Sequence, residues 1–378
     1  MIIRALILFL AAAVAGYSAG GCEGSFVKSG EDGSDAGDMQ SDPDAMTEIP
    51  ADTGIDPADD PVVDVPPDPA AEDPADPCFS VTCGDNAHCV AGSCVCDDGY
   101  VDAGGVCREA DPGDPESRTE EEVCARWRAD YPTQASWVWN EGPTQCDPGE
   151  VNDTARDDGV RRINLYRWLC GLGPVTRADA ATESAAQACA IMIYRNGTLN
   201  HHPPASWDCY TAQGADAAGS SNLAMGSSNP AGSIDQYVED RGNATTMGHR
   251  RWILNPPYGR AGLGHASSYN CQHVFDWSGS SSRSWVGFPA PGPYPVQAVM
   301  GSWTFHGDGV GSATRVTVVR ESTGTDLVVS ASLLDPGYGQ ETVSFDPGEA
   351  NVGETYVVTV TGLSGSDLTY RIRIIDCG

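Results

Sequence analysis

The chain has 378 residues, 40% of them hydrophobic, and a formal net charge of −32. That length allows two or three domains. The excess of acid over base excludes nucleic acid as a partner, because phosphate backbones select basic surfaces.

The acidity is concentrated early. No Lys or Arg occurs from residue 29 to residue 107, and residues 31–76 mix acids with Pro, Ala and Gly without one aromatic. Such a stretch cannot bury enough apolar surface to offset its chain entropy. Residues 22–77 are therefore predicted to be an acidic, Pro-rich, disordered tether. Ahead of it, Arg4 precedes an apolar run over residues 5–15 that is too short to span a bilayer and fits a secretory signal peptide, residues 1–21. Ala19, Gly20 and Gly21 lie directly before Cys22, which resembles a bacterial lipoprotein lipobox with Ala19 in place of the usual leucine. That resemblance implies lipidation at Cys22 and attachment to a membrane at the bacterial cell envelope or surface, with plain secretion as the alternative.

Fourteen cysteines in an exported chain imply disulfides. Six of them, Cys78, Cys83, Cys89, Cys94, Cys96 and Cys107, fall within residues 78–107, a segment too small for a core of its own. Spacing alone leaves fifteen pairings open. Cys94-Val95-Cys96 followed by Gly99-Tyr100 resembles the second half of an EGF-like module. The resemblance implies Cys78–Cys89, Cys83–Cys94 and Cys96–Cys107. Calcium is not expected there, because prolines occupy the acidic approach to Cys78. A spacer or protein-contact role fits better.

Residues 110–150, with Trp127, Trp137, Trp139, Cys124 and Cys146, read as a wrapped extension of the next domain closed by a Cys124–Cys146 bridge. Helical periodicity follows. Val160, Ile163, Tyr166, Leu169 and Leu172 form one apolar stripe, with Asp157 and Asp158 at its start and Gly171, Gly173 and Pro174 at its end. A second helix is predicted over residues 179–196, capped by Asp179 and stopped by Asn196-Gly197. Cys170 and Cys189, on these two helices, are candidates for a bridge, as are Cys209 and Cys271. A third helix is predicted from Asn229-Pro230, and a short one over residues 247–254 ends at Pro256-Pro257. "SSNLAMG", "RAGLGHASS", "HVFDW" and "WVGF" have strand character. Helices interspersed with short strands predict an α/β or α+β layered domain, residues 120–290. From there "ATRVTVVRE", "DLVVSASLL", "QETVSFDP", "ETYVVTVTG" and "LTYRIRIID" predict a C-terminal all-β sandwich, residues 295–378, with His306 structural or exposed and Cys377 either spare or tying down the tail. The fold class is thus multidomain.

Five segments of the middle domain, "RRINLYRWLCGLGPV", "AAQACAIMIYRNGTLNHHPP", "SSNLAMG", "IDQYVED" and "MGHRRWILNPPYGRAGLG", occur in an order that resembles the CAP superfamily, the cysteine-rich secretory, antigen 5 and pathogenesis-related-1 group with its SCP-like domain. The resemblance implies an α-β-α sandwich and a central cleft with two histidines and two acids, sometimes holding zinc or another divalent metal. It assigns the histidines to His201 and His249, and one acid to Glu239 or, second, Asp240. The other acid should directly precede Asn222, where this chain has Ser221. A serine carries no charge to offset a dication and is no base near neutral pH, so any metal site on His201 and His249 is expected to be weak. Ser221 as a nucleophile lacks a Gly-x-Ser-x-Gly setting. His202 reads as exposed, Trp207, Tyr210 and Trp252 as core, and Arg250 and Arg251 as paired with acids or covering apolar surface. The favoured reading is a non-enzymatic module that binds an extracellular protein, a glycan or a lipid. The alternatives are a metal-dependent, protease-like hydrolase using His201, His249 and Glu239, and an inert envelope spacer.

Overall fold

The computed structural model describes residues 77–281 and 283–378. The predicted signal, Cys22 and the tether up to residue 76 lie outside the described residues. Among the described residues no helix is long and apolar enough to cross a membrane.

The disulfide-rich module consists of two small ribbons, Ala87–Val90 with Ser93–Cys96 and Tyr100–Asp102 with Cys107–Glu109. Its bonds are Cys78–Cys89, Cys83–Cys94 and Cys96–Cys107, the three pairs implied above. The module is fastened to its neighbour. A Cβ on Gly104 would lie 2.5 Å from the Asp157 carbonyl oxygen, and the Arg161 guanidinium donates to the Gly104 carbonyl at 3.2 Å.

Next comes helix α1, Glu120–Asp130, which begins with a capping box between Thr119 and Glu122. Helix α2, Asp153–Leu169, starts earlier than Asp157 because Asn152 caps it. Helix α3, Ala180–Asn196, has the predicted Asp179 cap and ends at Gly197 in the left-handed conformation (φ 62°). Helix α4, Ala212–Gly219, follows, then α5, Pro230–Glu239, and α6, Gly248–Ile253.

A four-stranded sheet runs in the order Thr176–Arg177, Arg260–Ala266, Tyr269–His273, Ser221–Met225. Its second strand explains the layering. Successive side chains point to opposite faces of a strand. Gly262 and Gly264 face α3, where a Cβ on Gly264 would sit 2.1 Å from the Ala186 carbonyl oxygen. Leu263 faces the other way and meets Gly159 of α2. Helices α3 and α4 therefore cover one face, and α2 with α5 the other. "HVFDW" is not a strand beyond His273; the strand is Tyr269–His273, which carries no alternation because both faces are covered.

The C-terminal strands form two sheets. One runs Trp285–Phe288, Trp303–Gly307, Thr342–Phe345, Ser332–Leu333; the other runs Gly292–Pro295, Leu368–Ile375, Thr355–Thr361, Arg315–Arg320, Thr325–Leu327. Rings meet across them, with Trp285 on Tyr370 at 5.3 Å and Trp303 on Tyr356 at 5.7 Å. Trp285–Phe288 thus belongs to the C-terminal module, although the sequence reading put "WVGF" in the domain before it.

These parts are not beads on a string. One apolar core runs from Val123 and Trp127 of α1 through α2 and α5 into the C-terminal strands. A separate small core lies between α3, α4 and the sheet. The bond Cys124–Cys377 joins α1 to the chain end; Cys146–Cys209 and Cys189–Cys271 tie down α3 and its flanking loops. The expected bridges Cys124–Cys146, Cys170–Cys189 and Cys209–Cys271 do not form. Cys170 lies in the larger core and Cys189 in the smaller, with the sheet between them. Cys170 stays a buried thiol, its pKa pushed up to about 12 by burial.

Candidate functional site

His249 stands in the first turn of α6, whose entry is a tight left-handed residue, Met247 (φ 44°). Its Nδ1 lies 2.8 Å from Oδ1 of Asp240, a carboxylate with no solvent exposure. Asp240 ends α5 in the left-handed conformation (φ 53°), which turns its side chain back toward α6. The same Oδ1 accepts from the Asn243 amide at 2.7 Å, and Oδ2 accepts from the Arg250 amide at 3.3 Å. With Nδ1 donating to Asp240, Nε2 is the free nitrogen of His249. The Tyr237 ring packs on the imidazole at 5.2 Å, and the Asn222 amide donates to the His249 carbonyl at 3.2 Å.

His201 comes from the loop after α3. Its Nδ1 lies 2.9 Å from the Ala218 carbonyl oxygen, so Nε2 is free there too. His201, His249, Ser221 and Asn222 all line one open cleft of about 730 Å³, and His202 lies at its exposed edge. Ser221 is buried at the start of its strand, and its hydroxyl has no hydrogen-bond partner.

Glu239 does not line the cleft. It pairs with exposed Arg241 at 2.5 Å on the other side of the turn. One residue of helix rotation separates it from Asp240, and the left-handed cap puts Asp240, not Glu239, behind the imidazole. No Asp, Glu, Lys or Arg is among the lining residues.

Zinc does not fit this donor set. Two neutral imidazoles face the cleft, Ser221 supplies only a neutral hydroxyl, and Asp240 is used up as the orienting partner of His249. A tight zinc site wants at least three protein ligands. Among the described residues no cluster of three or more His, Cys, Asp or Glu is arranged to hold a metal ion.

The two arginines after His249 do not pair with acids. Arg250, fully buried, donates to the carbonyls of Val238 (2.6 Å), Met300 (2.6 Å) and Ser302 (2.5 Å). Arg251 donates to the carbonyls of Thr246 (3.0 Å), Asp335 (2.7 Å) and Gln340 (2.9 Å). Burial lowers the Arg250 pKa to about 10, which still leaves it charged at neutral pH. These bonds hold the C-terminal module against α6. Its loop at Pro336-Gly337-Tyr338 becomes one wall of the cleft. Gly248 is small for this reason, since a Cβ there would lie 2.4 Å from Cδ1 of Tyr338.

The remaining wall is aromatic. Trp252 is half-buried: it packs against the larger core, as expected, and also lines the cleft; Trp207 and Tyr210 pack against the smaller core. Phe275 and Tyr338, which also line the cleft, meet the Trp252 ring at 4.9 and 6.2 Å, and Trp277, next to but outside the lining, meets it at 5.7 Å. Asp240, Phe275, Trp277 and Tyr338 were the functional candidates that sequence reasoning passed over or ranked second. The polar turn Asp240-Arg241-Gly242-Asn243 before the Gly-His motif was the available signal for Asp240; Tyr338 had none.

A larger hollow of about 940 Å³ lies between the disulfide-rich module and α1. Its arginines and Asp130 are paired, Asp130 held between Arg108 and Arg126 and Arg161 bound to Asp158.

No curated protein and no solved structure matches the chain. Residues 160–278 match the family model described as the Cysteine-rich secretory protein family, CAP. That span runs from α2 through the cleft histidines to the aromatic wall, and it is similar to a CAP domain.

Proposed function

We propose that this protein is exported, anchored through a lipid on Cys22, and uses its CAP domain as a non-enzymatic binding module. The observation that carries the binding reading is a cleft with two imidazoles, no carboxylate among its lining residues, and one aromatic wall. Ser221 stands in the family's acid position, so neither a metal ligand set nor a carboxylate base is complete. Six disulfides among the described residues support an oxidising compartment. The N-terminal cysteine module keeps its EGF-like reading, as a small crosslinked element docked on α2. The C-terminal sheets keep their sandwich reading, extended to include Trp285–Phe288.

One observation favours hydrolysis as the second reading. The bond from His249 to buried Asp240 is the arrangement that orients a general base. Against it, the Ser221 hydroxyl is not engaged by His249 or by anything else.

The decisive experiment combines calorimetric zinc titration with a protease and esterase panel, on wild type and a His201→Ala, His249→Ala double variant. No turnover and no zinc binding tighter than about 10 µM is expected. Turnover lost in the double variant would establish the hydrolase instead. Metabolic labelling with a fatty-acid probe should mark wild type and not Cys22→Ser.

A further inference from the structure

We infer that the aromatic wall of the cleft is a subsite for a neutral oligosaccharide, built jointly by the CAP domain and the C-terminal module. This rests on the binding reading above and names its ligand class.

Phe275 and Trp277 are 45% and 54% exposed, and their rings are near parallel, 25° apart at 6.0 Å. Large rings left in water side by side mark an interaction site. Trp252 continues the shelf inward and Tyr338 closes it from the facing loop. The shelf is held in place. Arg251 anchors both ends of the loop through the Asp335 and Gln340 carbonyls, and its guanidinium lies 5.5 Å from the Tyr338 ring centre. Gly248 lets that ring approach the helix backbone.

The occupant follows from what faces it. A sugar ring has an apolar C–H face, which suits the negative face of an aromatic ring, and an edge of hydroxyls. Beyond the rings the cleft offers the free nitrogens of His201 and His249, and the hydroxyls of Thr245 and Thr246. The buried, unpartnered Ser221 hydroxyl is an independent mark of a polar ligand, because leaving it unpaired carries a cost that a ligand hydroxyl would offset. The absence of Lys and Arg from the lining disfavours an anionic polymer. A lipid chain would want an enclosed apolar channel, and this cleft is open and half polar.

The test titrates the full chain with neutral hexasaccharides of glucose, N-acetylglucosamine, xylose and mannose, and with a heparin hexasaccharide. Tryptophan emission and heat are followed, and the recovered sugars are checked for cleavage by mass spectrometry. At least one neutral sugar should bind with a Kd below about 1 mM, and Trp277→Ala and Tyr338→Ala should each weaken it about tenfold. Trp277 is exposed enough that its removal does not threaten folding. Failure of every neutral sugar to bind, binding of heparin alone, or equal affinity in both ring variants overturns the subsite. A sugar that binds through the rings and is cut only when His249 is present supports the subsite and overturns the non-catalytic reading.

Discussion

Asp240 does three things with one buried carboxylate: it caps a helix, orients His249 and takes a backbone amide of α6. Asp240→Ala would strand the donors on His249, Asn243 and Arg250. A loss of about 3 kcal/mol in urea unfolding is expected, as for a buried charged hydrogen-bond hub. Asp240→Asn keeps the shape, and NMR of the His249 ring nitrogens should then show the Nδ1–H form no longer dominant; an unchanged tautomer would mean that Asp240 does not set it. His306 supplies a pH test. Burial, with Arg251 and Arg250 nearby, pushes its pKa from 6.5 down to about 3, and burial takes His265 to about 4. The unfolded chain takes up these protons near pH 6.5 while the folded chain does not. Stability from these groups is therefore complete above pH 6.5 and falls as pH drops toward 4, by up to about 1.4 kcal/mol per pH unit for each histidine. His306→Leu should flatten the fall of Tm with pH over that window, and an identical slope would count against the buried neutral imidazole. At this scale the Gly-His motif located His249 from sequence. Its partner was ranked second because a left-handed cap, not helix periodicity, decides which of two adjacent acids turns inward.

Helices α2, α3, α5 and α6 were legible because stripe, cap and stop lie within one short window of sequence. Helix α1 was missed because its only buried apolar residues, Val123, Cys124 and Trp127, make too sparse a stripe. Helix α4 was missed because Ala212–Gly219 holds two glycines and four alanines with no large apolar side chain. The strand Arg260–Ala266 carries its packing in small residues. Gly264→Val would drive a side chain into the Ala186 backbone and separate α3 from the sheet, with an expected loss of about 1–3 kcal/mol by denaturant unfolding. A neutral result would contradict the close approach.

Cys124–Cys377 closes most of the described chain, a separation of 253 residues. In the chain-entropy picture a loop of this size is worth about 5 kcal/mol. Cys377→Ser should lower Tm and let the last strand, Leu368–Ile375, exchange its amide hydrogens sooner than the α3 region. Uniform exchange would mean that the shared core, not the bond, secures the tail. The continuous core and the arginine anchors make the C-terminal module a wall of the cleft.

Composition and local pattern were enough to read a crosslinked module, an ordered set of CAP-like helices and a strand-rich end. Those properties are written within a few turns of chain, where capping, periodicity and cysteine spacing act. The joining of Asp240 to His249, the pairing of distant cysteines, and the arrival of Tyr338 opposite Trp252 were decided only by packing. Each depends on which surfaces of separately formed elements meet, and a linear pattern carries no record of what lies across a core.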